Sequence, residues 1–123
     1  MMKNNDHLIS GQKAEDLAES FLRSQGLSSL LKNFRCKLGE IDLIMRDKDA
    51  IVFVEVRLRT NSFFTQAAES VNFRKQRKLI NTARFYLQQA GLVDKVACRF
   101  DVIAMQNNIA IKSSDWIQNA FDA

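Results

Sequence analysis

Two kinds of hydrophobic spacing alternate along the chain. Ala14, Leu17, Ala18, Phe21 and Leu22 recur at helical intervals. Residues 11–25 are therefore expected as a helix, capped by Ser10 and stopped by Gly26. Glu15 falls at the margin of that apolar stripe. Residues 27–36, 39–46 and 50–59 then read as three strands, and the third carries the β-branched and aromatic run Ile51-Val52-Phe53-Val54. A loop is expected over residues 60–67. Helical spacing returns over residues 73–90, between Asn72 as cap and Gly91 as stop. Its buried stripe is Leu79, Ile80, Ala83, Leu87 and Ala90, and Arg74, Arg77, Lys78 and Arg84 fall on a separate basic face. Residues 96–106 read as a fourth strand, with Phe100, Val102 and Ala104 on one face and Asp101 and Ile103 on the other. A turn at Asn107-Asn108, a short fifth strand over residues 109–112 and a tail whose Trp116 and Phe121 pack back complete the chain. The order α-β-β-β-α-β-β specifies an α/β sandwich with a central mixed sheet.

The acids on the second and third strands need a physical reason, because unpaired charge beside a buried face is costly. If Lys48-Asp49 is the central pair of a tight turn, Asp47 faces Ala50. Counting back, Asp42 faces Glu55, and Glu40 faces Arg57. Alternation places Asp42 on one face with Glu40 and Ile44. Directly opposed residues share a face, with Cβ atoms ~4.5–5.5 Å apart, and like charges there destabilise a sheet. A shared divalent cation removes that penalty, and hard oxygen ligands suit Mg²⁺ or Mn²⁺. The bland alternative carries equal weight on these residues alone. Asp42 and Glu55 can pair with Arg57, Arg59 or Arg35 on a solvated face, and a charged helix face is most often solubilising.

Composition narrows the choice. The chain has 123 residues, and 46% hydrophobic content supports a real core and argues against disorder. One domain over 1–123 is expected, with residues 1–9 flexible. Eighteen Lys and Arg against fourteen Asp and Glu give a net charge of +4, which permits nucleic-acid binding without demanding it. The single histidine, His7, and the two unclustered cysteines, Cys36 and Cys98, leave little support for zinc sites or for Ser-His-Asp and Cys-His catalysis. Both cysteines are expected as buried, reduced thiols. No apolar run is long enough to span a membrane, and residues 1–6 do not lead into a signal-peptide core. A cytoplasmic location is expected.

An ordered string of residues resembles the YraN-type family of small bacterial proteins. It comprises Gly11, Ala14-Glu15-Asp16-Leu17-Ala18, Gly26, Asn33, Arg35, Gly39-Glu40-Ile41-Asp42-Leu43-Ile44, Phe53-Val54-Glu55-Val56, Arg59, Val71, Lys75, Ala83 and Arg99-Phe100-Asp101-Val102. That family is similar to the PD-(D/E)XK nucleases and, in fold, to archaeal Holliday junction resolvases. The resemblance implies a restriction-endonuclease-like three-layer α/β/α sandwich. It implies that Asp42 and Glu55 bind metal, and that Glu15 supports the metal or its water. At the position two after the second acid, where the nuclease pattern has Lys, this chain has Arg57. The implied chemistry is metal-assisted phosphodiester hydrolysis with Mg²⁺ or Mn²⁺. The implied partner is nucleic acid, DNA before RNA, held through Arg35, Arg59, Arg74, Lys75, Arg77 and Lys78. A homodimer is the implied assembly. Tyr86 and Phe63 read as packing residues rather than base platforms.

Three functions follow. The first is a metal-dependent nuclease acting on branched or damaged DNA. The second is a nucleic-acid-binding module without catalysis, because an arginine is planar and permanently charged where a lysine would orient water. The third is an interaction protein that keeps only the fold.

Overall fold

The computed structural model describes residues 11–59, 71–106 and 110–123. His7, the Ser10 cap, the 60–67 loop with Phe63, the Asn107-Asn108 turn, Ile109 and the side chain of Arg59 lie outside the described residues. The elements are α1 (Gly11–Ser24), β1 (Ser28–Cys36), β2 (Gly39–Asp47), β3 (Ala50–Arg59), α2 (Phe73–Ala90), β4 (Ala97–Gln106) and β5 (Trp116–Phe121). The strands form one five-stranded sheet in chain order. It is a mixed sheet: β3 and β4 run parallel and the other neighbours antiparallel. A crossover helix is what a parallel pair requires, and α2 supplies it. Among the described residues no helix is long and apolar enough to cross a membrane.

Each helix covers one face of the sheet, giving three layers. Ala14, Ala18 and Leu22 of α1 pack on Leu43, Met45, Val52, Val54, Ile103 and Met105. Leu79, Ile80 and Ala83 of α2 pack on Ile41, Ile44, Phe53, Phe100 and Val102. Strands covered on both sides are apolar at consecutive positions, which is why Ile51 to Val54 are all buried. The second helix begins and ends as its sequence requires. Asn72 accepts a hydrogen bond from the Lys75 N–H at 2.9 Å. Gly91 takes the left-handed conformation, φ 71°, that closes the last turn.

The fifth strand is not the one expected. The described part of residues 109–112 has no regular structure, and the segment read as a packing tail is itself β5. Asp101 explains the choice. Its buried carboxylate accepts hydrogen bonds from the Trp116 indole and the Asn119 backbone N–H, both at 2.9 Å. The β4–β5 register shifts between Phe100 and Val102, around Asp101. Arg99 neutralises that acid, with Nε 3.0 and 3.2 Å from its two oxygens, and ties it to Asp47 at 3.0 Å. The cysteines also depart from expectation: both are free thiols, but Cys36 is half-buried and Cys98 exposed, because Cys98 precedes the covered part of β4.

One residue pair reverses the faces of the sheet. Lys32 on β1 reaches Asp16 and Glu19 of α1. Phe34, two residues on, packs against Phe85 and Tyr86 of α2. On β2, Leu43 joins the α1 cluster and Ile41 the α2 cluster. A two-residue step keeps a side chain on the same face of a regular strand. Both strands therefore switch face at the residues between, Asn33 and Asp42. Asn33 has φ 55°, a left-handed conformation that asparagine tolerates better than most residues. Glu40 and Ile44 consequently do not share a face through Asp42, as strict alternation had implied.

Candidate functional site

The turn sets the β2–β3 register as the sequence reading required. Lys48 has φ 57°, and pairing runs from Asp47–Ala50 to Leu43–Val54. There the ladder ends, one step before Asp42 and Glu55. The Val56 N–H donates instead to Asp42 Oδ2 at 2.8 Å. Asp42 thus sits in the fork where β2 leaves β3. Glu40, expected opposite Arg57, lies beyond the fork. It pairs across from Arg35 on β1, with the guanidinium Nε 3.1 Å from its carboxylate.

Two acids on neighbouring strands, Asp42 and Glu55, lie at this fork, with a third, Glu15 of α1, beside Asp42. Glu15 of α1 lies within hydrogen-bonding reach of Asp42, and the Asp42 charge acts on Glu55. Burial pushes the Asp42 carboxyl up to about 6; the Val56 N–H opposes the shift and Glu15 adds to it. Burial also raises Glu55, as does the charge on Asp42, while Lys75 and Arg57 pull it down. Glu55 is 6% exposed. Two cations approach the same oxygen, Oε2: Lys75 Nζ at 3.3 Å and Arg57 Nη1 at 3.4 Å.

Comparison with Asp101 separates structural acids from the rest. Both Asp42 and Asp101 use a carboxylate oxygen to satisfy a backbone N–H of the adjacent strand. Asp101 has an arginine at hydrogen-bonding distance and an indole donor, so its charge is balanced locally. Asp42 faces a second acid and sits near a third. A fold needs only the first arrangement; in the second, the cations sit on Glu55 and burial leaves the Asp42 carboxyl raised to about 6.

The resemblance gave Lys75 as a nucleic-acid contact, outside the basic face of Arg74, Arg77, Lys78 and Arg84. It instead projects from the first turn of α2 onto Glu55. The helical spacing 75, 79, 82 already placed it towards the sheet, away from Arg74 and Arg77 and with Lys78 at the edge of its flank, and that was the available signal. Those three side chains are exposed, as is Arg35. Tyr86 is half-buried against Phe34 and Phe53, the packing role expected of it. Among the described residues no group of three His, Cys, Asp or Glu side chains forms a ready-made metal cage. The acids present are a two-carboxylate pair with Glu15 beside it.

The chain matches the model of uncharacterised protein family UPF0102 over residues 14–105. That span takes in Glu15, Asp42, Glu55, Arg57 and Lys75. The UPF0102 protein of Nitrosomonas eutropha is 50% identical over 112 residues, covering 91% of this chain and 92% of that one. The one from Nitrosospira multiformis is 46% identical over 114 residues, 93% of each chain. The one from Pseudomonas savastanoi pv. phaseolicola is 47% identical over 123 residues, 99% of this chain and 100% of that one. The α/β architecture and the length of these matches lead to one assignment: the chain belongs to family UPF0102, the YraN-type group whose motifs its sequence carries.

Proposed function

We propose that this protein is a nuclease-like DNA-binding protein that hydrolyses phosphodiester bonds with the help of a divalent metal. The observation that carries the reading is the Asp42–Glu55 pair, two acids with raised proton affinity at the fork of β2 and β3. Such a pair attracts a cation more strongly than solvated acids do. Mg²⁺ is commonly held by one or two carboxylates, with water and substrate phosphate completing its shell, so a two-acid site fits it and a full protein cage is not required. Asp42 and Glu55 would hold Mg²⁺ or Mn²⁺, which when bound supplies Lewis acidity at the phosphate and a more acidic water.

The protein's own groups have separable tasks. Glu15, beside Asp42, favours the protonated form of the Asp42 carboxyl and so helps hold a proton there until metal displaces it. Lys75 Nζ, 3.3 Å from Glu55, takes the part that the nuclease pattern gives to a lysine two residues after the second acid. It can orient a water and balance charge on the phosphate. Arg57, on the same Glu55 oxygen, offers a guanidinium that can grip phosphate oxygens in pairs. Arg35, Arg74, Arg77 and Lys78 neutralise backbone phosphates beyond the scissile one, which makes binding steeply salt-dependent.

A second reading rests on Arg57. Its contact with Glu55 can substitute for metal, leaving a DNA-binding module without cleavage. One experiment separates the two. Purified protein is incubated with linear, flapped and four-way DNA in Mg²⁺, Mn²⁺ or EDTA, beside the variants Arg57→Lys and Lys75→Ala. Metal-dependent cleavage lost in Lys75→Ala supports the first reading. DNA binding unaffected by EDTA, without cleavage in wild type or Arg57→Lys, supports the second.

A further inference from the structure

A second feature lies on the same helix flank as Lys75. Positions 75, 78, 82, 85 and 89 follow one another at three- and four-residue steps, so they form one stripe along α2. Lys75 marks the acid site. Thr82 and Lys78 lie against the β1–β2 turn at Gly39. Phe85 and Gln89 then open into a depression of about 570 Å³, whose other walls are Arg35, Cys36, Lys37 and Leu38 of the β1–β2 connection.

The lining combines apolar, amide and cationic side chains. Phe85 is 38% exposed and Leu38 49% exposed. Phe34 backs the Phe85 ring from inside, with centroids 6.3 Å apart, so the ring is held in place while part of it faces outward. Arg35 and Lys37 stand at the rim, and no acid is among the described residues that line the depression. Arg35 is steadied by Glu40 at 3.1 Å. The volume falls in the range of small-ligand sites, about 300–1,000 Å³. An anchored aromatic face, an amide and rim cations together match one occupant: a nucleobase stacked on Phe85, its edge met by Gln89 and its phosphate by Arg35 and Lys37.

We infer that this depression binds an unpaired nucleotide of the DNA strand whose phosphate lies at the Asp42–Glu55 site. The inference rests on the DNA reading above and names its substrate class. Phe85 lies ten residues beyond Lys75, about 15 Å along a helix rising ~1.5 Å per residue. That span corresponds to about four nucleotides of a stacked strand at ~3.4 Å each. Bases paired in a duplex present no free ring face, so the subsite favours DNA with a single-stranded arm or gap beside the target phosphate.

The test uses DNA oligonucleotides carrying 2-aminopurine at successive positions, in EDTA, with the wild-type chain and the variants Phe85→Leu and Gln89→Ala. Phe85→Leu keeps an apolar contact with Phe34 and removes the ring face. Wild type is expected to quench the fluorophore in a single strand at one narrow window of positions, and to bind that strand more tightly than duplex. Phe85→Leu is expected to lose the quench and about tenfold in single-strand affinity, the scale of one lost base–aromatic stack, with duplex binding unchanged. Gln89→Ala is expected to keep the quench and lose preference among bases. Duplex binding by wild type, with no strand preference and with Phe85→Leu identical to it, overturns the subsite alone. Wild type that binds neither form of DNA overturns the DNA reading and the subsite with it.

Discussion

The Oδ2 of Asp42 accepts a hydrogen bond from the Val56 backbone N–H at 2.8 Å, one strand away. The same carboxylate faces Glu15 and acts on Glu55. One group therefore satisfies a backbone donor at the end of a ladder and concentrates negative charge. The two roles respond differently to substitution. Asp42→Asn retains an acceptor for Val56 and removes the charge. It is expected to be more stable than wild type at pH 8, by about 3 kcal/mol for a shift from 3.8 to about 6, and so to melt at a higher temperature. Asp42→Ala leaves the Val56 N–H without that acceptor and should fall below Asp42→Asn by ~1–3 kcal/mol. Thermal denaturation of both variants checks this. An Asp42→Asn protein less stable than wild type at pH 8 contradicts it.

The pH dependence has a definite sign. The folded-state pKa of Asp42 lies above its unfolded value, and that of Glu55 is raised too. Stability from these groups is fully present below about pH 4 and is lost as pH rises through about 6. Urea denaturation of wild type is expected to show this decline relative to Asp42→Asn. Added Mn²⁺ should restore stability to wild type above pH 6 and leave Asp42→Asn unchanged, because metal and proton compete for the same oxygens. Equal Mn²⁺ stabilisation of both proteins would remove the metal assignment.

Lys75 and Arg57 share Glu55 Oε2, yet their predicted effects on cleavage differ. Lys75→Ala is expected to lower the cleavage rate by roughly a hundredfold or more, the scale of a lost charge-stabilising donor, while DNA affinity changes little. Arg57→Lys is expected to retain cleavage, since it keeps a cation beside the acid. Single-turnover rates at saturating protein distinguish this from a binding defect. Full activity in Lys75→Ala would return the lysine to the phosphate-binding face.

Gly39 fixes the β1–β2 turn against α2. A Cβ built there would stand 2.9 Å from Thr82 Oγ1, and its φ of +150° is one that side chains rarely adopt. Gly39→Ala is expected to destabilise by ~1–3 kcal/mol. The double variant with Thr82→Ala should recover part of that loss, because it removes the obstructing hydroxyl and leaves the backbone strain. Chemical denaturation of the three proteins measures the coupling, and strictly additive losses would show the obstruction to be irrelevant.

Asp101 holds β5 through Trp116 and Asn119. Asp101→Ala leaves the Arg99 guanidinium without its main partner and should cost about 3–5 kcal/mol. Hydrogen exchange is expected to accelerate first at Asn119 and its neighbours in β5. Uniform acceleration throughout the sheet would mean that β5 does not open separately.

The legible parts of the molecule were those set by local pattern. The turn at Asp47-Lys48-Asp49 was enough to count the β2–β3 register, and Asn72 and Gly91 bounded α2 because caps act within a few residues. The illegible parts depend on residues far apart in sequence. Nothing in the spacing of Trp116 and Asn119 announces a strand; Asp101 makes it one. The reversal of faces at Asn33 and Asp42 is invisible to alternation, because a left-handed asparagine inside a strand breaks the period that the reading assumes. Lys75 was expected as a nucleic-acid contact, and its ion pair with an acid is not visible in its own segment. Its partner, Glu55, is twenty residues earlier and is reached only after the chain crosses the sheet.

Sheet order equal to chain order also dictates a timetable. The strands β1, β2 and β3 form a meander whose pairings join near neighbours in sequence, whereas β4 must wait for the α2 crossover. Local pairings close fastest. The meander is therefore expected to bring Asp42 and Glu55 together before Lys75 arrives, and pulsed hydrogen exchange should show β2 and β3 amides protected ahead of those in β4. Refolding then has an anionic waypoint, and millimolar Mg²⁺ should speed passage through it.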